Sequence, residues 1–146
     1  MEIRVLTKDE YAVMLELVWR VFNEYEAVDY PESGREAFWQ AIHDEAYLDG
    51  LKVYGAFDGE VLSGIIAMRN EGAHVALFFV DGEYQRRGIG RRLFARELSE
   101  SKAERITVHS SLYAEAVYKK LGFAQAGAET EDGGIRYIPM VYKRTF

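Results

Sequence analysis

A mixed α/β sheet with helices on both faces is the fold class this sequence predicts, and three observations predict it. Residues 11–22 place Tyr11, Met14, Leu15, Val18, Val21 and Phe22 on one face at helical spacing. Residues 52–80 hold three apolar strand signals divided by the turn sequences Asp58-Gly59 and Asn70-Glu71-Gly72, a pattern of an antiparallel meander. A strand, a glycine-bearing turn, a helix and a second β-branched strand then follow from residue 73 to residue 109. Such a crossover makes its two strands parallel and is right-handed. The predicted order is βααβββαβαββ.

Ile3 to Leu6 reads as the first strand. Thr7 and Glu10 have the spacing of a capping box, with Leu6 and Tyr11 placed as a hydrophobic staple. The helix behind them is predicted to reach Asn23. An acidic connection follows, with Glu24, Glu26 and Asp29 beside Tyr25 and Tyr30, and Pro31 stops any continuing helix. Ser33 and Glu36 suggest a second capping box, and Ala37, Phe38, Ala41 and Ile42 a second helix reaching Tyr47. Lys52–Phe57, Glu60–Met68 and Ala73–Val80 are the meander, with Gly64 weakening or bulging its middle strand. Ile89, Leu93, Phe94 and Leu98 line a helix to Ser101, and Arg105–His109 is the next strand. Ser110 and Ser111 can cap a helix over Leu112–Leu121, with Gly122 at its C′ position. Phe123–Thr130 and Ile135–Tyr142 read as two final strands around Asp132-Gly133-Gly134.

The chain has 146 residues, 49% of them hydrophobic and 14% aromatic, which predicts one domain over 1–146 and argues against disorder. The formal net charge of −6 weighs against a nucleic-acid or membrane-surface binder. There is no cysteine, and His43, His74 and His109 have no metal-ligand spacing, so no metal is expected. The Met-Glu-Ile-Arg start lacks the apolar core of a signal peptide, and no apolar stretch approaches a membrane span. The expectation is a cytoplasmic protein. Ile135, Tyr137, Ile138, Met140 and Tyr142 in the last strands offer apolar surface for a partner, which suggests a homodimer.

Against this acidic background stands a local basic octet, Gln85-Arg86-Arg87-Gly88-Ile89-Gly90-Arg91-Arg92, at a strand-to-helix junction. The first turn of a helix has backbone N–H groups without partners, and its dipole favours negative charge. Glycines let a ligand approach the backbone closely. The octet therefore reads as a phosphate cradle, or more plainly as a helix start with solvated arginines. A P-loop would need Lys-Ser/Thr after its last glycine, where Arg91-Arg92 stands. A dinucleotide fingerprint would need glycine at Leu93. The pattern Gln/Arg-x-x-Gly-x-Gly/Ala fits Gln85, Gly88 and Gly90.

That pattern resembles the coenzyme A pyrophosphate loop of the GNAT superfamily of acyl-CoA-dependent N-acyltransferases. Thr107–Ala114 with Val117-Tyr118-Lys119-Lys120-Leu121-Gly122-Phe123 is similar to the family's strand–helix segment ending in Tyr-x-x-Leu-Gly-Phe. Gly134-Ile135-Arg136 and Pro139-Met140 resemble the end of one bacterial subgroup. Two positions depart from the pattern. Gly82 stands where the family often has proline, which predicts a looser turn, and Ser111 stands where asparagine is frequent.

The resemblance implies a GNAT-like fold and acetyl-CoA lying where the strands ending at Val80 and near His109 splay apart. Phe78, Phe79 and Val80 would bond the pantetheine arm. Gln85, Arg86, Arg87, Gly88, Ile89, Gly90 and Arg91 would hold the phosphates, with Ser111 and Tyr118 as further coenzyme contacts. The implied reaction is direct attack of a primary amine on the thioester, with no metal and no covalent protein intermediate. Tyr118 takes the general-acid position; on chemistry alone it reads as an apolar-face residue beside Leu121. His109 is the first candidate base, and Glu24, Glu26 and Glu83 are others. Glu24, Glu26 and Asp29 would suit a cationic acceptor, which is a small molecule or a protein amine. A non-catalytic acyl-CoA sensor on the same fold and an unrelated nucleotide-binding domain are the competing readings.

Overall fold

The computed structural model describes residues 1–144. Its strands are β1 (Glu2–Val5), β2 (Lys52–Asp58), β3 (Val61–Arg69), β4 (His74–Val80), β5 (Arg105–Ser110), β6 (Ala124–Gln125), β7 (Thr130–Asp132) and β8 (Ile135–Lys143). Its helices are α1 (Tyr11–Val21), α2 (Glu32–Ile42), α3 (Glu45–Asp49), α4 (Ile89–Glu100) and α5 (Glu115–Leu121). The strands lie in the order β1-β2-β3-β4-β5-β8-β6, with β7 paired to β8. Every pairing is antiparallel except β4 with β5. The mixed sheet with a parallel crossover is the predicted class.

Each face of the sheet carries its own core. On one face Met14, Val18 and Val21 of α1, with Phe22 just after it, are buried against Val53, Ile65, Leu77 and Phe79. On the other, Leu93 and Phe94 of α4 and Tyr118 of α5 pack on Ile66, Val75, Ile106 and Met140. Alternation along β2 and β3 feeds both cores, since successive strand side chains point to opposite faces.

Local chemistry explains most of the elements. Glu10 closes the capping box on the Thr7 N–H at 2.9 Å and also pairs with Arg4 at 2.7 Å. Gly59 takes a left-handed φ of 61° in the β2–β3 turn. The bulge expected near Gly64 falls on its neighbour: Ala56 pairs Gly64 and Phe57 pairs Leu62, so Ser63 is the extra residue. Its hydroxyl bonds the Ala56 carbonyl at 2.9 Å.

Four expectations are corrected. The Ser33 capping box does not form, because Pro31 already caps α2: its carbonyl accepts from Gly34 and Arg35. The second helix ends at Ile42, and α3 is a separate turn begun by Asp44. Leu112–Ala114 are turn, so α5 starts at Glu115. The strand expected over Phe123–Thr130 is two short pieces, β6 and β7, around Ala126–Glu129. The apolar residues that suggested a homodimer are largely used inside the chain. β8 lies between β5 and β6, Ile138 and Met140 are buried, and Tyr142 packs on Phe94 and Phe123.

Candidate active site

The site begins with a register fault. Ala67 pairs Leu77 but Met68 pairs Val75, so Ala76 is an extra residue in β4. A bulge bends its strand and ends pairing locally. β5 accordingly meets β4 only at His74–Thr107 and Val75–Val108. β5 stays on β8 through Ser110 while β4 stays on β3 through Val80. The two parallel strands therefore part after Val75, and one backbone edge of Leu77–Val80 faces open space. Two cavities open there, of 440 Å³ and 240 Å³, and they share Glu26, Phe78, Phe79, Ala114 and Tyr118 as walls.

The larger cavity runs to the basic octet, lined by Val80, Gln85, Arg86, Gly88, Ile89, Gly90 and Arg91. The Asp81 carboxylate accepts the Glu83 N–H at 2.9 Å and pairs with Arg20 at 2.5 Å. The turn at Gly82 is tight rather than loose: a Cβ there would lie 2.3 Å from the Tyr25 hydroxyl. Gln85 donates its side-chain amide to the Val80 carbonyl at 3.0 Å. Arg86 and Gly88 adopt left-handed φ of 66° and 78°, which turns the chain into α4. Among the described residues the N–H groups of 86–91 have no acceptor; Arg92 makes the first helical bond, to the Gly88 carbonyl. Gly90 lies beside Phe78, where its missing side chain keeps the floor open. Arg87 turns outward onto the Tyr84 ring, 5.2 Å away, and Arg92 bonds the Met1 carbonyl.

Sequence reasoning missed the other wall of this cavity. Tyr113 stacks on Tyr25 at 5.3 Å and its hydroxyl donates to Gln85 at 3.4 Å. Tyr25 and Glu26 are delivered by a π turn, Phe22–Glu26, that continues α1 where a plain connection was expected. Wider turns of this kind add a residue to a helix and re-aim its side chains.

Tyr118 and Glu26 meet where the cavities join. Tyr118 is 5% exposed, and burial, reinforced by Glu26, holds its phenol in the protonated form. Glu26 is 9% exposed. Burial raises its carboxyl to about 7; the Ser111 hydroxyl pulls it down and Asp29 pushes it up. Ser111 also accepts the Ala114 N–H at 3.1 Å, so it lines the smaller cavity and not the loop. His109 lines the smaller cavity only, stacked on Tyr137 at 4.2 Å and edge-on to His74. Burial, and then Arg69, lowers its pKa. Glu24 is exposed and, like Asp29, lines neither cavity. Tyr30, Phe38, Asp132, Ile135 and Tyr137 complete the smaller cavity, and none carries a local sequence signal for that role. Among the described residues no cluster of His, Asp or Glu is able to hold a metal ion, and no helix is long and apolar enough to cross a membrane.

Free backbone amides at a helix start, an opened strand edge and a buried tyrosine–carboxylate pair thus lie along one cleft. The family profile of the acetyltransferase (GNAT) domain matches residues 25–144, and the chain belongs to that family. It is thus an N-acetyltransferase, of a class that moves an acyl group from coenzyme A to an amine. Among solved structures, a GCN5-related N-acetyltransferase from Rhodopseudomonas palustris is 22% identical, with a TM-score of 0.84 over 98% of this chain and 95% of that one. The PaiA N-acetyltransferase from Thermoplasma acidophilum, in complex with coenzyme A, is 18% identical, with a TM-score of 0.79 over 99% of this chain and 100% of that one. The ribosomal-protein-S18-alanine N-acetyltransferase from Escherichia coli is 21% identical, with a TM-score of 0.64 over 97% and 92%. A search of curated proteins finds no match.

Proposed function

We propose that this protein transfers an acetyl group from acetyl-CoA to a primary amine by direct attack of the amine on the thioester. The observation that carries the reading is the continuous path from the free amides of 86–91, along the unpaired edge of Leu77–Val80, to Tyr118 and Glu26. The amides and the α4 dipole receive the pyrophosphate, with Arg86 and Arg91 beside them. The open β4 edge supplies strand-like donors and acceptors to the pantetheine arm. The Val80 carbonyl is the exception, since Gln85 already occupies it.

An amine with a pKa of about 10.4 is protonated at neutral pH and must lose a proton to attack. Glu26 takes that proton. Its carboxyl, raised to about 7, is partly ionised at neutral pH and more basic than an ordinary carboxylate. This moves the base from His109 to Glu26, because Glu26 shares both cavities with Tyr118 and acts on its phenol, while His109 lines only the smaller cavity and has a lowered pKa. As the carbon–nitrogen bond forms and the carbon–sulfur bond breaks, the Tyr118 phenol gives its proton to the departing sulfur. Positioning both reactants in one cleft supplies the rest of the acceleration.

Release of free thiol from acetyl-CoA across a panel of amines tests the reading. Thiol release that depends on the amine supports it. Acetyl-CoA binding with no thiol release for any amine would favour a non-catalytic acyl-CoA sensor. A thermal shift with ATP or NAD but none with acetyl-CoA would reject both.

A further inference from the structure

We infer that the acceptor is a compact small molecule: a primary amine with a flat apolar body, no carboxylate, and a second cationic group read by Asp132. The inference rests on the acyl-transfer reading above.

Size comes from the contact between α2 and the β7–β8 hairpin. Phe38 of α2 and Asp132, Ile135 and Tyr137 of the β7–β8 hairpin line one side of the 240 Å³ cavity. The two elements touch so closely that a Cβ on Gly34 would lie 2.3 Å from the Gly134 carbonyl oxygen. Gly34 is a glycine inside a helix, where it weakens the helix by about 1 kcal/mol relative to alanine. The close approach to Gly134 is the compensating contact. A contact this close walls the cavity on that side and narrows its mouth, which favours a compact acceptor over a folded protein's chain.

Shape comes from the walls. Tyr30, Phe38, Ile135 and Tyr137 present ring and branched surfaces, and Phe38 stacks on Phe22 at 4.3 Å, which fixes its plane. Flat apolar groups fit between such surfaces, and aromatic faces also attract cations.

Charge comes from what lines the cavity and what does not. Glu26 and Asp132 are its two carboxylates, and no lysine or arginine is among its lining residues. An acceptor carboxylate would enter without a lysine or arginine partner and beside Asp132 and a partly ionised Glu26, which disfavours free amino acids. Glu26 belongs to the reacting end with Tyr118. Asp132, at the tip of β7, is left to receive a second positive charge.

Two matched pairs of acceptors test this with the full-length protein and acetyl-CoA. Phenethylamine is expected to exceed phenylalanine in kcat/KM by on the order of 10²-fold. The diamine 1,4-bis(aminomethyl)benzene is expected to exceed benzylamine, and Asp132→Asn should shrink that preference about tenfold. Asp132→Lys should shrink it further, while the thermal shift given by acetyl-CoA stays as in the parent. Transfer to phenylalanine, or to the lysine of a short peptide, as efficient as transfer to phenethylamine overturns the inference and leaves the acyl-transfer reading standing. So does an Asp132→Asn variant with the parental diamine preference. Absence of thiol release with every amine, with acetyl-CoA still bound, sinks the catalytic reading and this inference together.

Discussion

In the proposed reaction Tyr118 and Glu26 take opposite protonation roles, and one physical cause acts on both. Burial disfavours the charged form of each group. For the phenol this keeps the proton in place until the thiolate departs, and for the carboxyl it raises the pKa to about 7. Tyr118→Phe is therefore expected to lower turnover on the order of 10²-fold with little change in melting temperature, because the ring still fills its place between Phe78 and Phe123. Parental turnover in that variant would remove Tyr118 as the acid. Glu26 must lose its proton to act, so kcat/KM is expected to rise with pH through about 7. Glu26→Gln should abolish that limb of the pH–rate profile and reduce the rate above it. Glu97 also titrates near 7 but lies in α4, outside both cavities of the cleft. Glu97→Gln should thus keep the limb, and its loss there would reassign the titration. The motif singles out Tyr118, and the structure puts it on the cleft. Glu26 was one of several acidic candidates, because its raised pKa comes from burial, and the residues that share its cavity, Tyr30, Phe79 and Tyr118, lie far apart in sequence.

Among the elements, local signals and long-range packing divide the credit. Thr7–Glu10, Asp58-Gly59, Gly88 and Gly122 carry their chemistry within a few residues, and the structure places caps and turns there as read. The bulge at Ala76 has no local signature. It arises because β4 must satisfy β3 on one side and α1 and α4 on its two faces, and it is what parts β4 from β5. The π turn at Phe22–Glu26 is equally silent, since it reflects Phe22 locking against Phe38 and Tyr30 rather than any breaker residue. The contact of α2 with the β7–β8 hairpin did leave a trace, Gly34 inside a helical pattern with Gly133-Gly134 far downstream, but nothing in the sequence links the two. Gly34→Ala tests that contact. Alanine favours the helix by about 1 kcal/mol, yet its Cβ would collide with the Gly134 backbone, so the hairpin must move. The expected outcome is a several-fold rise in KM for the amine with an unchanged dissociation constant for acetyl-CoA, since the octet lies at the other end of the cleft. A proportionate loss of both affinities would mean that the contact supports the whole cleft.

At the scale of the whole molecule, both sides of the sheet bury a carboxylate, Glu26 and Glu97, and of these two Glu26 lines the cleft. Glu97 is 2% exposed, and its Oε2 is a buried side-chain atom without a partner among the described residues. Burial raises its carboxyl to about 7, against the pull of Arg144 and Lys52, which favour the ionised form. A carboxyl whose folded pKa lies above its unfolded value of 4.5 contributes stability below pH 4.5 and loses it as pH rises through 7. Glu26 has the same sign and the same window. The chain is therefore expected to melt lower at pH 8 than at pH 5.5, apart from any general charge effect of its net −6. Glu97→Gln should raise the melting temperature at pH 8 by a few degrees and change it little at pH 5.5. Glu26→Gln should do the same at a cost in activity that Glu97→Gln does not incur. The two groups lie in different parts of the fold, so their effects should add in the double variant. Equal gains at both pH values would mean that the substitutions act through packing and that ionisation of these carboxyls does not limit stability.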